Sequence, residues 1–326
     1  MTLPSQSTPG LRPSEAARDQ IAHANRILLL THISPDGDAI GSLLGLYWAL
    51  KAGGKEALPV SSDGCPEVFR FLPGSGNIVN KPGGEFDLSI LLDCADLSRA
   101  GKPAERLTPD LNIDHHATNP RFGRLNFVEP DRASTAELIT DLLPGFRLPL
   151  TPEAAECLLC GVVSDTLGFR TTNTDARALT AAQTLMAAGA DLPHVYDYAL
   201  NRRPFAAAQL WGHALSRASL SGRIAWTTIL LADKKAVGYN GRGDADLINL
   251  LTTINEADVF LVFVEHENNE VKISWRARPG YDVARLAQSF GGGGHVSAAG
   301  ANLKNITLAE AEAEVLEATR HMMSVE

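Results

Sequence analysis

Residues 26–42 read Arg-Ile-Leu-Leu-Leu-Thr-His-Ile-Ser-Pro-Asp-Gly-Asp-Ala-Ile-Gly-Ser, and this stretch decides the fold of the first half of the chain. Its apolar run, residues 27–30, is too short for a helix and is followed by Pro35 and Gly37. After these, apolar residues recur at helical spacing until Gly53. The stretch therefore predicts a buried strand, a tight turn and a helix. Open parallel sheets bind ligands where their strands end, so we expect a ligand site in this turn.

The turn contains His32, Asp36 and Asp38, with no Lys or Arg between or directly after the two carboxylates. Two ionised carboxylates this close together repel each other, and a divalent cation would relieve the repulsion. The alternative is that the Asp-Gly-Asp segment serves only as a turn and a helix cap, because Asp and Gly are common in both. This stretch alone leaves the two interpretations equally open.

Length and composition indicate two domains. The 326 residues exceed the usual size of one domain, and the contents of 44% hydrophobic and 21% charged residues are ordinary for a globular protein. No apolar run reaches membrane-spanning length, and the polar segment 1–20 lacks the pattern of a signal peptide, so we expect a flexible tail there. Four irregularly spaced cysteines do not suggest a disulfide framework, which predicts a cytoplasmic protein.

The net charge of −9 argues against a protein that coats duplex nucleic acid, because a long polyanion would be repelled. A small phosphorylated ligand, held by a few arginines and a metal, stays open. Cys157 and Cys160 have the spacing of half a zinc site. They lie in an apolar helical stretch without a second cysteine pair, so we interpret them as buried packing residues.

Strand and helix patterns alternate through the first half of the chain. Short apolar runs at 57–61, 87–93, 111–113 and 124–128 predict further strands, and helices are expected to begin near Ser134 and Thr151. This alternation predicts an α/β domain with a parallel sheet and helices on both faces. Alternating strands and flanking helices in the second half predict a smaller mixed α/β domain. We place a flexible tail at 1–20, the first domain at 21–190, a helical linker at 191–215 and the second domain at 216–326.

Carboxylates and imidazoles recur at the ends of the predicted elements of the first domain. They are His32, Asp36, Asp38, Asp93, Asp114, His115, His116 and Asp165. Chance places a single Asp at a helix start, but rarely a whole set with imidazoles. Mixed Asp and His ligation favours Mn²⁺, with Co²⁺, Fe²⁺ or Mg²⁺ as alternatives, over Ca²⁺. If about six of these eight residues bind metal, they are more than one catalytic ion with open positions can use. They fit two ions that share a carboxylate, an arrangement that activates water for phosphoryl displacement.

A glycine-rich motif stands out in the second domain, where four consecutive glycines, residues 291–294, precede His295. Such a run lets backbone N–H groups approach an anion closely, although a flexible loop is the alternative that glycine alone would favour. His295 and Arg276 favour phosphate binding. We interpret three other arginines as solvated surface charge: Arg242, Arg278 and Arg285.

Together these motifs resemble the DHH phosphoesterase superfamily. The segment His-x-x-x-Asp-x-Asp at 32–38, Asp93, Asp-His-His at 114–116 and Asp165 are similar to its four motifs in order and spacing. The segment Gly-Gly-Gly-Gly-His-x-x-Ala-Ala-Gly at 291–300, preceded by Ser274-x-Arg276, resembles the DHH-associated domain. The branch with this combination comprises the bacterial NrnA-type nanoRNases and 3′-phosphoadenosine 5′-phosphate (pAp) phosphatases.

The resemblance implies a role for each motif residue. His32, Asp36 and Asp93 would hold one metal, and Asp38, Asp93, His115 and Asp165 would hold the other, with Asp93 as the bridge. Asp114 would orient an imidazole, and His116 would face the scissile phosphate or the leaving oxygen; the alternative is a core histidine satisfied by Asp114. In the second domain the implied substrate contacts are Ser274, Arg276, Gly292, Gly293, Gly294 and His295, with the active site in the cleft between the domains.

The expected activity is metal-dependent hydrolysis of very short oligonucleotides, including linear dinucleotides such as pApA, to mononucleotides, and of pAp to AMP. Expected partners are therefore short RNA or DNA, linear dinucleotides and pAp, without a membrane. A homodimer is expected because symmetric dimers are common. The alternatives are a RecJ-like exonuclease for longer single strands, a manganese pyrophosphatase, which would lack the glycine–His motif, and a nucleotide-binding regulator without turnover.

Overall fold

The structure is a computed structural model that describes residues 15–105 and 107–325. The chain divides after Arg202 into two compact units, which we call the N-terminal and the C-terminal unit. The division falls inside the segment 191–215 that we predicted as a helical linker. Residues 1–14 of the predicted flexible tail lie outside the described residues. Residues 15–20 are helical instead, because Ala17 and Ile21 are buried in the core and hold this helix in place.

The N-terminal unit is built around a parallel sheet of five strands in the order β2-β1-β3-β4-β5. Its elements are α1 (Glu15–His23), β1 (Arg26–Leu30), α2 (Gly37–Ala52), β2 (Glu56–Val60), β3 (Leu88–Leu92), β4 (Leu111–Asp114), β5 (Leu125–Val128), α3 (Thr135–Phe146), α4 (Pro152–Asp165), α5 (Ala176–Ala187), α6 (Leu192–Tyr196) and a π-helical turn (Asp197–Asn201). The predicted strand, turn and helix of residues 26–42 are confirmed. The parallel sheet brings the carboxyl ends of all five strands to one edge.

The two faces of this sheet are covered unequally. Ile27 and Leu29 pack against the α-helices, whereas Leu28 and Leu30 face the opposite side. That side is covered by loop residues and two 3₁₀-helices, Leu97–Ala100 and Lys102–Ala104. We predicted helices on both faces, but among the described residues the α-helices lie on one face only. The connection from β3 to β4 forms single turns because Gly101, with φ +71°, and Pro103 interrupt it.

The C-terminal unit contains a mixed sheet of six strands in the order β10-β11-β9-β8-β7-β6, as predicted; β7 and β8 are parallel and the other pairs antiparallel. Its elements are α7 (Phe205–Leu215), β6 (Ser219–Ser221), β7 (Ile224–Ile229), α8 (Leu231–Val237), α9 (Leu247–Leu251), β8 (Val259–His266), β9 (Glu270–Ala277), α10 (Val283–Ser289), β10 (Gly293–His295), β11 (Ala298–Lys304) and α11 (Leu308–Val325).

Alternation along β9 decides which side chains of this sheet are buried in which layer. Val271, Ile273 and Trp275 pack with residues of α10 and α11. The intervening residues of β9 point to the other face, where α7 and α9 cover β7 and β8. In the part of the chain that the structure describes, none of the helices combines the length and the hydrophobicity of a membrane-spanning segment.

Candidate active site

The first part of the site lies just beyond β1. His32 is buried, and its Nε2 atom lies 3.8 Å from Asp36 Oδ1 and 3.5 Å from Asp93 Oδ2. Its Nδ1 atom lies 2.8 Å from the carbonyl oxygen of Ile33, to which it can donate, so that Nε2 faces the carboxylates. Burial by itself lowers the pKa of His32, but Asp36 and Asp93 raise it to about 11. These carboxylates therefore favour a positive charge at this point.

Asp38 lies in the first turn of α2 and is fully buried. Its Oδ2 accepts the N–H of Thr135 at 2.6 Å and its Oδ1 accepts that of Ala136 at 2.9 Å, both at the start of α3. The helix start thus holds the carboxylate in one orientation. Burial, followed by the charges of Asp93 and Asp165, raises the pKa of Asp38 well above its usual value. In these surroundings the ionised form of Asp38 is unfavourable unless a cation lies nearby.

The close packing of α2 on α4 brings Asp38 and Asp165 to the same place. A side chain on Gly161 would put its Cβ atom 2.6 Å from Asp38 Oδ1, so a glycine in α4 leaves the room that this carboxylate occupies. Asp165 is the last residue of α4 and is partly exposed.

Asp93 follows β3 and occupies the centre of the site. Its backbone has φ +53°, a left-handed conformation that Asp tolerates better than most residues. Its Oδ1 accepts a hydrogen bond from the Thr135 hydroxyl at 3.0 Å. Burial raises the pKa of Asp93, but His32, His116 and His115 outweigh it and hold the pKa well below its usual range. Asp93 is thus a buried carboxylate that stays ionised.

The Asp-His-His segment begins at the last residue of β4. His115 Nδ1 lies 3.2 Å from the carbonyl oxygen of Arg132, and its Nε2 lies 3.2 Å from Asp165 Oδ2, 3.7 Å from Asp93 Oδ1 and 3.9 Å from Asp38 Oδ2. One imidazole nitrogen is therefore directed at three carboxylates. This is the orientation of a metal-ligating histidine whose other nitrogen is fixed by the backbone.

His116 and Asp114 form a separate pair beside this group. His116 Nδ1 donates to Asp114 Oδ1 at 2.7 Å and lies 3.7 Å from Asp93 Oδ1. The fully buried Asp114 thereby fixes the ring of His116, which is partly exposed. Burial lowers the pKa of His116, but Asp114 and Asp93 raise it above its ordinary value.

Asp93 belongs to three groups whose donor atoms lie within 4.8 Å of one another. One is completed by the pair Asp114 and His116. The other two comprise predicted metal ligands only: His32, Asp36 and Asp93 in the first, and Asp38, Asp93 and His115 in the second. Asp165 adjoins the second group through His115. Carboxylate oxygens and imidazole nitrogens suit first-row divalent ions. The structure therefore brings together all six residues that we predicted as metal ligands, from four separate parts of the chain.

Five of the six predicted substrate contacts lie on β9 and β10 of the C-terminal unit, which are separated by β11, and Gly292 directly precedes β10. Ser274 of β9 is opposite Gly300 of β11, which is opposite Gly293 of β10, and Arg276 and His295 flank Ala298 in the next row. Residues in such rows lie on one face of the sheet. The end of the glycine run is thus a strand rather than a free loop. Gly292 and Gly294 are required by the fold, since a Cβ atom on Gly292 would lie 2.1 Å from the carbonyl oxygen of Gly300 and Gly294 has φ +145°.

Comparison with known proteins now gives the family. Residues 26–162 match the DHH family, N-terminal domain, and residues 236–324 match the DHHA1 domain. A bifunctional oligoribonuclease and PAP phosphatase NrnA from Thermus thermophilus is 40% identical over 91% of this chain and 90% of its own length. The chain belongs to the DHH family. The predicted resemblance is thereby confirmed, and DHH phosphoesterases depend on metals.

Two further relatives cover nearly the whole DHH-family chain. The NrnA protein of Mycoplasma genitalium, which bears the same bifunctional name, is 29% identical over 89% of this chain and 92% of its own length. The crystal structure of an exopolyphosphatase-related protein from Bacteroides fragilis has a TM-score of 0.84 at 25% identity, covering 95% of this chain and 94% of that one. The matched DHH segment contains every predicted metal ligand except Asp165, which lies three residues beyond its end.

The DHH domain also contains site residues that sequence reasoning missed. Thr135 contacts both Asp93, through its hydroxyl, and Asp38, through its backbone N–H. Asn119 donates to Asp114 Oδ2 at 2.6 Å and to the carbonyl oxygen of Cys94 at 3.1 Å, so it ties the Asp-His-His segment to the end of β3. The only indication in the sequence was the spacing of Ser134 and Glu137, which correctly predicted the start of α3.

Proposed function

We propose that this protein is a metal-dependent phosphoesterase that hydrolyses very short oligonucleotides, such as pApA, to mononucleotides, and pAp to AMP. The observation that carries the proposal is the sharing of Asp93 by two groups of closely spaced donor atoms, in which every residue except the exposed Asp36 is buried. A carboxylate between two ligand groups suits a pair of divalent ions, and a nucleotide-binding regulator would have no need of it.

The donor set favours Mn²⁺, with Mg²⁺ or Co²⁺ as alternatives, because it mixes carboxylates with imidazoles. In this proposal His32, Asp36 and Asp93 hold one ion and Asp38, Asp93, His115 and Asp165 hold the other. When bound, such ions lower the pKa of a water molecule and neutralise the phosphate charge. The ionised Asp93 and the imidazoles of His32 and His115, whose Nδ1 atoms lie against backbone carbonyl oxygens, are suited to hold such ions.

His116 is the proton donor of the proposed reaction. Asp114 accepts its Nδ1 proton and keeps the ring in place, which leaves Nε2 for the substrate. The raised pKa of His116 favours the imidazolium at neutral pH. As the bond between phosphorus and the leaving oxygen breaks, Nε2 gives its proton to that oxygen. The oxygen of the attacking water forms the new bond to phosphorus and releases one proton to the solvent, from which His116 is protonated again.

The DHHA1 domain is the proposed substrate-binding part. Ser274, Arg276, Gly293 and His295 lie in two neighbouring rows of one sheet face, where a guanidinium, a hydroxyl, an imidazole and backbone N–H groups suit a phosphate. Two further facts support the proposal that the substrates are short. The chain carries a net charge of −9, which disfavours long polyanions, and the relatives from Thermus and Mycoplasma are named oligoribonucleases and PAP phosphatases.

The test is a substrate panel with purified protein and Mn²⁺. The panel contains pApA, a five-residue RNA, a long single-stranded DNA, pAp and pyrophosphate, and initial rates are compared at equal concentration of cleavable bonds. We expect pApA, the short RNA and pAp to be hydrolysed faster than the long DNA. A preference for the long DNA would favour a RecJ-like exonuclease, a preference for pyrophosphate would favour a pyrophosphatase, and inactivity on all five would favour a regulator.

A further inference from the structure

The C-terminal unit contains a cavity of about 570 Å³ that the proposed reaction does not use. It lies between α8, the loop that follows it and the turn that joins β8 to β9. The main residues of its lining are Lys234, Lys235, Tyr239, Arg242, His266 and Glu270. Glu270 begins β9, so along this strand the cavity lining is about 13 Å from Ser274 and about 20 Å from Arg276.

Lys234 is the unusual member of this lining. Only 6% of the residue is exposed, although it carries an ammonium group. Within residues 15–105 and 107–325, its Nζ atom has neither a hydrogen bond nor an ion pair. The Nζ atom is not among the fully enclosed side-chain atoms of the described residues, so the ammonium keeps some contact with solvent. Lysines with so little exposure usually have a partner, because partial removal of an ammonium from water is costly. A side chain of this kind, lining a cavity, points to an anionic ligand.

The surroundings of Lys234 add positive charge. Burial, Lys272 and Arg242 lower the pKa of Lys234 to about 8, although Asp244 acts in the opposite direction. Burial, Lys234 and Arg242 lower the pKa of His266. The nearby carboxylates compensate only in part. Arg242 lies 3.2 Å from Glu270, the exposed Lys235 lies 4.0 Å from the exposed Glu267, and the buried Asp244 has a pKa raised by burial and by Asp246. Lys234, Arg242 and His266 therefore lie close enough around this cavity to disfavour one another's positive charge.

We propose that this cavity is a second phosphate-binding site, distinct from the glycine–His segment, and that it takes a phosphate group of a nucleotide. Lysine and arginine side chains are the usual protein ligands of phosphate. The volume exceeds that of a phosphate ion and lies within the range of small-ligand sites. The ring of Tyr239 and the amides of Asn240 and Asn268 add the apolar and polar surface that a nucleoside needs.

The proposal rests on the proposed function only for the choice of a nucleotide as ligand. The phosphate has two potential sources with the same chemistry. It belongs either to a nucleotide of the substrate beyond the cleaved bond or to a free mononucleotide, which is the product of the proposed reaction. The two sources differ in their kinetic consequences, and the experiment below separates them.

The test uses the imidazole resonances of His266 in the full-length protein with Mg²⁺, measured by NMR during titration with inorganic phosphate and with AMP. Inorganic phosphate and AMP are products of the proposed hydrolysis of pAp, so the proposed activity does not consume them during the titration. We expect a saturable shift of the His266 signals. Lys234→Met removes the charge at nearly constant side-chain length and should weaken the affinity at least about tenfold. The matched control is Lys304→Met, an exposed lysine of the same sheet outside the lining, which should change little.

Kinetics with pApA and the five-residue RNA then identify the source of the phosphate. If the site takes a nucleotide of the substrate, Lys234→Met raises KM for the five-residue RNA and leaves KM for pApA unchanged. If it takes a free nucleotide, neither KM changes, while the affinity for AMP measured by NMR still falls in Lys234→Met. Arg242→Gln, at an exposed position, provides a second variant should Lys234→Met fail to fold. The proposal is overturned if His266 does not respond to millimolar phosphate or AMP, or responds equally in both lysine variants. This result does not depend on phosphoesterase activity.

Discussion

Each unit of the protein contains a cluster of like charges, and the two clusters are stabilised differently. We call Asp38, Asp93 and Asp165 the acidic cluster, and Lys234, Lys235, Arg242 and His266 the basic cluster. In the N-terminal unit, Asp38 and Asp93 are buried beside Asp165, and their oxygens accept hydrogen bonds from the backbone and hydroxyl of Thr135. In the C-terminal unit, the buried Lys234 has no such partner among the described residues. The carboxylates are held in fixed positions, whereas the cations line an open cavity.

The difference suggests what each cluster is built to do. Metal coordination requires donor atoms at set distances, so supporting hydrogen bonds are essential to it. Binding of a phosphate by lysine is less demanding, because an ammonium acts as a point charge on a flexible stem. Substitutions in the acidic cluster should therefore change chemistry and metal affinity, and substitutions in the basic cluster should change ligand affinity.

The largest effect is expected for Asp93→Asn. Asparagine has the same shape and tolerates the left-handed backbone at this position, so the fold should persist. It lacks the charge that both donor groups share, and we expect kcat on pApA to fall by about 10³-fold or more. The measurements are initial rates with Mn²⁺ and the melting temperature.

A matched control for this variant is Asp96→Asn. Asp96 lies three residues away, is exposed and caps the 3₁₀-helix Leu97–Ala100 through the N–H of Ser98. The kcat of Asp96→Asn on pApA should stay within about twofold of the wild-type value. Equal losses in both variants would show that the region responds to any change of charge, which would contradict a special role for Asp93.

Metal binding should stabilise the protein through the acidic cluster alone. At a Mn²⁺ concentration about 100 times its dissociation constant, the free energy of unfolding should rise by about 2.7 kcal/mol per ion. Asp93→Asn should lose most of this gain, and Lys234→Met should keep it. Thermal unfolding with and without a chelator measures the effect. A gain of the same size in Asp93→Asn would place the bound metal elsewhere.

A smaller effect is expected for Thr135→Val, which removes the hydroxyl that donates to Asp93 and keeps the branched shape. The Mn²⁺ concentration for half-maximal activity should rise about 10-fold to 100-fold. Thr140→Val is the control, because its hydroxyl donates to the carbonyl oxygen of Ala136 on the same helix without touching the carboxylates. If both variants change the metal requirement alike, Thr135 acts only through helix stability.

The sequence was sufficient to predict the acidic cluster because its residues follow strands and helices that the hydrophobic pattern identifies. In a parallel sheet the strand ends meet at one edge, so Asp93 and His115 had to be close to the turn after β1. Thr135 could not be found in this way. Its contact with Asp93 spans 42 positions and depends on the orientation of α3, which no local pattern specifies.

The basic cluster was missed for a related reason. Arg242 was interpreted as surface charge, and Lys234 lies in an ordinary polar helix start; only the packing of α8 against the sheet buries it. Local sequence patterns specify which residues are apolar, but not which charged side chain becomes enclosed by distant elements. The same limitation applies to the second face of the parallel sheet, where the predicted helices are only 3₁₀ turns.

Gly293→Ala tests the substrate segment. Apart from its two chain neighbours, no atom of the residues that the structure describes lies within 4 Å of the place where its Cβ would be, so the variant should fold normally. If a phosphate approaches the backbone here, the added methyl group should raise KM for pApA by about tenfold, with a smaller effect on kcat. Gly292→Ala is the contrasting variant, since its Cβ would collide with the carbonyl oxygen of Gly300 and should lower the melting temperature. An unchanged KM in Gly293→Ala would remove this residue from the proposed contacts.

The smallest effect concerns the pH dependence of stability that Lys234 contributes. Its pKa is about 8 in the folded protein and 10.5 in the absence of its surroundings. Between these values the unfolded chain binds more protons, so the free energy of unfolding should rise with pH across this window. Below pH 8 the ammonium is charged in both states and its full cost is present. Lys234→Met lacks the group, so it should be more stable than the wild type at pH 7 by about 1–2 kcal/mol after allowance for solvent screening.

The stability difference between Lys234→Met and the wild type should therefore shrink as the pH rises from 7 to 10. Urea unfolding at several pH values measures it, and Lys304→Met should show no such trend because its ammonium is exposed. Phosphate at pH 7 should reduce the difference, because it binds the wild type at least about tenfold more tightly than Lys234→Met and therefore stabilises the wild type more. A difference that is constant with pH would mean that the ammonium is well solvated. The basic cavity, which nearby carboxylates compensate only in part, would then no longer differ in this respect from solvated surface charge.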